Sequence, residues 1–179
     1  METQLSPGKK WMSRTESKSM KRREKGFSLI ELLIVVAIIL IIAAIAIPSL
    51  LKARMQANEA SAVASIHSVN TSEMAYSSAF PTIGFSLNLS DLGDGGTSPC
   101  PGSAIASCYI DENLATGTKS GFLFTYVQDV STTPSLHYTI NADPLSRGFT
   151  GQRSFFSSDS NVTRYSSAVA ATSADSPLQ

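Results

Sequence analysis

From Phe27 to Ile47 the chain is apolar at every position except Ser28 and Glu31. About twenty such residues, rising about 1.5 Å each as a helix, cover the ~30 Å hydrocarbon core of a bilayer. Only a helix satisfies its own backbone groups there. After Pro48 the sequence is rich in Ala and free of Gly and Pro until Pro81. Val63, Ile66, Val69, Met74 and Tyr76 form a loose apolar stripe on that stretch. The pattern predicts one helix from about Phe27 to Phe80, its first half in lipid and its second half packed on a domain. Pro48 removes the hydrogen bond to the carbonyl of Ala44, which predicts a kink.

From Pro81 to Asn113 Gly, Pro, Ser and Asp crowd together, as in SDLGDGGTSPCPGSA, and a loop region is expected. The period changes to two from Gly121. FLFTYVQDV sets Phe122, Phe124 and Tyr126 on one face, and LHYTINA does the same for Leu136, Tyr138 and Ile140, with STTP between them. RSFFSS and VTRY follow, joined by the turn residues Asp159, Ser160 and Asn161. About four antiparallel strands are expected, their apolar face covering the stripe on the helix. The fold class is therefore α+β. The tail AVAATSADSPLQ reads as small, polar and loosely held.

Charge adds a direction. Lys21, Arg22, Arg23 and Lys25 precede the apolar run, so the positive-inside bias puts the N-terminus in the cytoplasm and the domain across the membrane. A secretory signal peptide competes for the same segment, but its apolar core is shorter and its small cleavage residue follows that core. Formal net charge is zero, yet the basic residues concentrate before Phe27 and the remainder has more acidic than basic residues. That leaves no footprint for strong nucleic-acid binding.

Little else suggests chemistry. Cys100 and Cys108 flank a short loop and, outside the cytoplasm, are able to close it as a disulfide. Asp91 and Asp94 lack the spacing of a calcium loop and read as solvated turn residues. No hydrolase, nucleotide-binding or metalloprotease motif is present, and His67 and His137 read as packed or solvated side chains. No catalytic residues, cofactor, metal or small-molecule substrate are expected.

Glu31 is the exception that needs a reason. An acidic side chain in a bilayer costs roughly 2.5–3.5 kcal/mol at mid-depth, and such residues generally have a partner. Either it lies near the interface and reaches headgroup water, or it pairs with a cation from another chain.

GFSLIELLIVVAIILIIAAIAIP, with the basic residues before it, resembles the N-terminal segment of type IV pilins and of the pseudopilins of type II secretion systems. The likeness covers about thirty residues: basic cluster, Gly, Phe, Glu at the fifth apolar place, and a closing Pro. GFTGQRSFFSSDSNVTRY resembles the closing hairpin of the same family. The resemblance implies that a prepilin peptidase cuts between Gly26 and Phe27 and methylates the new amine of Phe27. It also implies that Glu31 acts in assembly, answering the cation it lacks on its own helix. Residues 1–26 would be the leader, 27–51 the filament-core half of the helix, and 52–80 the half packed on the domain. A variable loop region, 81–120, and the sheet with its tail, 121–179, would follow.

Met20 is the expected initiator, with a long leader from Met1 as the alternative. Where many members carry glycine eight residues before the proline, this chain has Leu40. The implied partners are identical subunits, an inner-membrane platform and an assembly ATPase. The implied location is the inner membrane before assembly and the cell surface after it. A pilus subunit is the favoured reading, with a major pseudopilin as its alternative. A membrane-anchored binding module is the alternative of another class.

Overall fold

A computed structural model describes residues 26–96 and 99–178. Most of the expected leader, and with it the choice between Met1 and Met20, lies outside the described residues. The chain forms two compact units that meet in sequence at Ile41 and Ile42.

Helix α1 runs Leu29–Ala79, with Pro48 inside it. In the first unit its side chains from Leu29 to Ile41 are all exposed, and α1 is long and apolar enough to cross a membrane. No charged residue but Glu31 interrupts that stretch.

The second unit holds the sheet. Its strands are β1 (Thr118–Lys119), β2 (Phe122–Gln128), β3 (Tyr138–Pro144), β4 (Ser154–Ser158), β5 (Arg164–Ser166) and β6 (Ser176–Pro177). They pair antiparallel in sequence order, a meander of six strands where about four were expected. The two extra strands are edge pairs of two residues each, too short to show alternation. Strands β2 and β3 pair along their full length, with Phe124 opposite Ala142 and Tyr126 opposite Ile140.

Phe122, Phe124, Tyr138, Ile140, Ala142 and Phe155 face α1 and pack on Ala62, Ile66, Val69 and Tyr76. Leu89, Leu92, Ile110 and Leu114 close one side of this core. They come from a 3₁₀ turn (Leu89–Leu92), the segment after the loop, and the short helix α2 (Glu112–Ala115). Two expected apolar contacts are absent. Met74 is 54 % exposed and Leu136 is 59 % exposed, because the buried line of α1 passes through Glu73 and because β3 begins only at Tyr138.

The tail is not loose. Ser176 and Tyr165 pair across β5 and β6, and Ala171 is buried. The Ala171 carbonyl accepts from Asn141 Nδ2 at 2.7 Å, and the Leu178 amide donates to the Thr163 carbonyl at 2.8 Å. Backbone pairing holds this segment where the side chains are too small to signal it.

Candidate functional site

The N-terminal segment sets its chemistry by where the helix begins. Gly26, Phe27 and Ser28 precede α1, and Phe27 is 85 % exposed. The Gly26–Phe27 peptide bond is thus outside the helical hydrogen-bond ladder. A Cβ added at Gly26 would meet nothing within 4 Å, so the fold itself does not demand glycine there.

Ser28 occupies the N-cap position, and Glu31 stands three residues later. The Ser28 amide donates to Glu31 Oε2 at 3.1 Å, one half of a capping box. The Ser28 carbonyl accepts from the Leu32 amide at 3.3 Å. A carboxylate in the first turn also faces the positive end of the helix dipole. The Glu31 carboxyl group is therefore hydrogen-bonded one turn from the Gly26–Phe27 junction.

In the second unit, Cys100 and Cys108 form a disulfide with Cα atoms 6.4 Å apart. The bridged loop is tied to the 3₁₀ turn: Cys108 N–H donates to the Gly93 carbonyl at 2.9 Å, and Tyr109 N–H to that of Leu92 at 2.8 Å. Tyr76 of α1 donates its hydroxyl to the Ala104 carbonyl at 2.7 Å, fastening the loop to the helix. Asp91 Oδ2 accepts from the Asn88 amide at 2.9 Å. Asp94 accepts from the Gly96 amide at 2.8 Å. Its hydrogen bond with Glu112 holds Asp94 below the ordinary aspartate range and Glu112 above the glutamate range. His67 is exposed on α1, and His137 Nδ1 lies 3.0 Å from Asp159 Oδ2 at the surface.

Sequence reasoning passed over three polar residues that join α1 to the sheet. Glu59 Oε1 accepts from the amides of Gln152 at 2.7 Å and Arg153 at 3.0 Å, and its Oε2 accepts from Arg153 Nε at 2.8 Å. Burial raises the Glu59 pKa, but these donors and the guanidinium charge outweigh it, and the pKa lies below the ordinary glutamate range. Asn70 donates to Ser157 Oγ at 2.9 Å and accepts from the Tyr138 hydroxyl at 3.0 Å.

Glu73 is fully buried. It accepts from the Ser86 amide at 3.0 Å and from the Ser86 hydroxyl. Burial pushes its pKa up, and the Ser86 donors offset only part of the rise. Burial and then the Glu73 charge push the Tyr126 and Tyr138 hydroxyls up as well, so both remain donors. Residues 59, 62, 66, 69, 73 and 76 recur at alternating steps of three and four. Extending the apolar line through its polar members was the signal that would have found these glutamates.

Among the described residues, an apolar helix that begins within Gly-Phe-x-x-x-Glu and packs its second half on an antiparallel sheet has a pilin-like α+β architecture. The prokaryotic N-terminal methylation motif matches residues 21–47. Over 38 residues the chain is 66% identical to the type IV wide pilus major component PilA4 of Thermus thermophilus, a stretch that is 21% of this chain. The match spans 29% of that protein's length. No solved structure matches the chain at a significant level. The motif and the shared segment liken the N-terminal part of this chain to type IV pilins.

Proposed function

We propose that the chain is a prepilin, the precursor of a structural subunit that polymerises into a type IV pilus. Prepilin peptidase cuts between Gly26 and Phe27, methylates Phe27, and leaves a mature protein held in the inner membrane by α1, its domain outside the cytoplasm. The observation that carries this reading is the accessible Gly26–Phe27 junction one turn before a carboxylate in an otherwise apolar stretch.

Trimming creates a cationic amine at Phe27. Unit charges about 4 Å apart attract several times more strongly near protein than in bulk water. Glu31 of one subunit thus neutralises the amine of its neighbour and fixes the axial register of packed helices. Apolar burial alone does not drive that step, because lipid already covers the helices. Repeated head-to-tail contacts that do not close build a filament. Residues 27–51 form its core, 52–80 join the core to the sheet domain, and the bridged loop within 81–120 lies at the surface. An inner-membrane platform and an assembly ATPase extract the subunits from the bilayer. A pilus subunit is the reading we favour, with a secretion pseudopilin as its alternative; the relative matched over the N-terminal segment is named as a pilus component.

In Gly26→Val the precursor should stay full-length and unmethylated in the membrane. In Glu31→Ala cleavage should proceed while filament yield collapses. Mass spectrometry of the wild-type chain should find Phe27 first and methylated. Normal trimming of the valine variant would refute the cleavage site.

A further inference from the structure

In the second unit, a cavity of about 450 Å³ lies between one face of α1 and the segment leading into β4. Lys52, Met55, Gln56, Gln152, Arg153 and Ser167 line it. Lys52, Met55 and Gln56 recur at i, i+3 and i+4, and so share one helix face with Glu59 at i+7. Lys52 has no ion pair among the described residues.

Arg153 is held in place by its neighbours. Its Nε is bound by Glu59, and its guanidinium carbon lies 5.5 Å from the Phe155 ring centroid and 5.6 Å from that of Tyr165. Its two terminal nitrogens find no hydrogen-bond acceptor among the described residues. Glu59 also borders the cavity, but both its oxygens already accept hydrogen bonds. Two cations against one carboxylate leave the cavity positive, with a preoriented guanidinium that suits an oxyanion.

Position along the helix names the source of that anion. Lys52 stands five residues past Ile47, where the apolar run ends, roughly 7.5 Å further along α1 at about 1.5 Å per residue. The headgroup layer extends roughly 5–8 Å beyond each side of the hydrocarbon. A cation just past the span on the non-cytoplasmic side also runs against the usual loop bias, and a bound anion offsets that. We propose that this cavity holds the phosphate of an anionic phospholipid headgroup, with Lys52 and Arg153 as its ligands and Met55 as the wall beside the glycerol. The inference rests on α1 spanning a bilayer.

The test is native mass spectrometry of the full chain in mild detergent. It is titrated with phosphatidylglycerol, with phosphatidylcholine of the same acyl chains, or with inorganic phosphate alone. Phosphatidylglycerol should be retained over phosphatidylcholine. Lys52→Gln should cut that preference roughly fivefold, the factor one interfacial cation carries. Arg54→Gln makes the same charge change on another face of α1 and should leave the preference intact.

Equal losses in the two variants would reduce the effect to general surface attraction and overturn the site. Displacement of the lipid by millimolar inorganic phosphate would overturn the lipid as its source. Lys52 is exposed, so its variant should melt as the wild type does. Alkaline extraction of membranes separately tests insertion. Release of the wild-type chain there would count against the spanning helix, whereas loss of headgroup preference in a retained chain counts against the cavity.

Discussion

Glu59 and Glu73 occupy the same buried line of one helix, yet they titrate in opposite directions. The difference is the partner. Three donors, one of them cationic, hold Glu59 below the ordinary glutamate pKa of about 4.3, while burial with only neutral donors holds Glu73 above it. A lowered folded-state pKa contributes stability that is present above the unfolded value and lost as pH falls through the folded one. A raised pKa contributes stability that is present below the unfolded value and lost as pH rises through the folded one.

The melting temperature should therefore fall on both sides of a mildly acidic optimum. Glu73→Gln should flatten the fall on the alkaline side, and Glu59→Gln the fall on the acid side. Glu59→Ala should also cost about 2–3 kcal/mol, since it strands the Gln152 and Arg153 amides and one side of the guanidinium. An unchanged alkaline slope in Glu73→Gln would rule out the burial of an ionisable acid there as its cause.

Among the elements, those with a strong period were legible before the fold was in view. Strands β2 and β3 follow alternations such as Phe122, Phe124 and Tyr126, β4 and β5 are marked by the turn residues between them, and α1 begins and ends within two residues of the expected bounds. What escaped was of two kinds. Strands β1 and β6 are made by backbone pairing over two residues, which side-chain patterns do not record. Hydrophobicity alone points the stripe of α1 through Met74, whereas the fold buries Glu73 in its place. At the N-terminal junction, the sequence marks Gly26 as the residue before the apolar run, Phe27 as its first residue and Glu31 as its acidic exception. The capping contact of Ser28 leaves no such mark, because it is made by a main-chain amide.

The loop after α1 is held by a covalent bond as well as by burial, with Ala106 and Ile110 buried and Ile105 78 % exposed. Closing a loop of this length by a disulfide contributes at most about 2.5 kcal/mol by chain entropy. Reducing agent should lower the melting temperature accordingly while leaving the far-UV signal of α1 and the sheet intact. Loss of the whole domain on reduction would mean that the loop does more than cover one side of the core.

At the scale of the molecule, charge is unevenly distributed along the chain. From Phe27 onward it keeps six basic residues against eleven acidic ones. In the proposed filament, stacked subunits would bring those like charges together, within a Debye length of about 10 Å at 0.1 M salt. The contacts of such a filament would have to overcome that repulsion. Lateral bundling of filaments should accordingly rise with ionic strength, a trend that turbidity or sedimentation would follow.

On the proposed function, the hydrogen bond from Ser28 to Glu31 would bear on the precursor before any fibre exists. A precursor whose acid is already occupied by its own main chain would carry no stranded charge while it waits, and a reservoir could accumulate without being cleared as misfolded. Ser28→Pro removes that amide donor. It should shorten the half-life of the untrimmed chain in a pulse-chase measurement, and a lifetime equal to wild type would mean that water alone suffices to keep the reservoir sound.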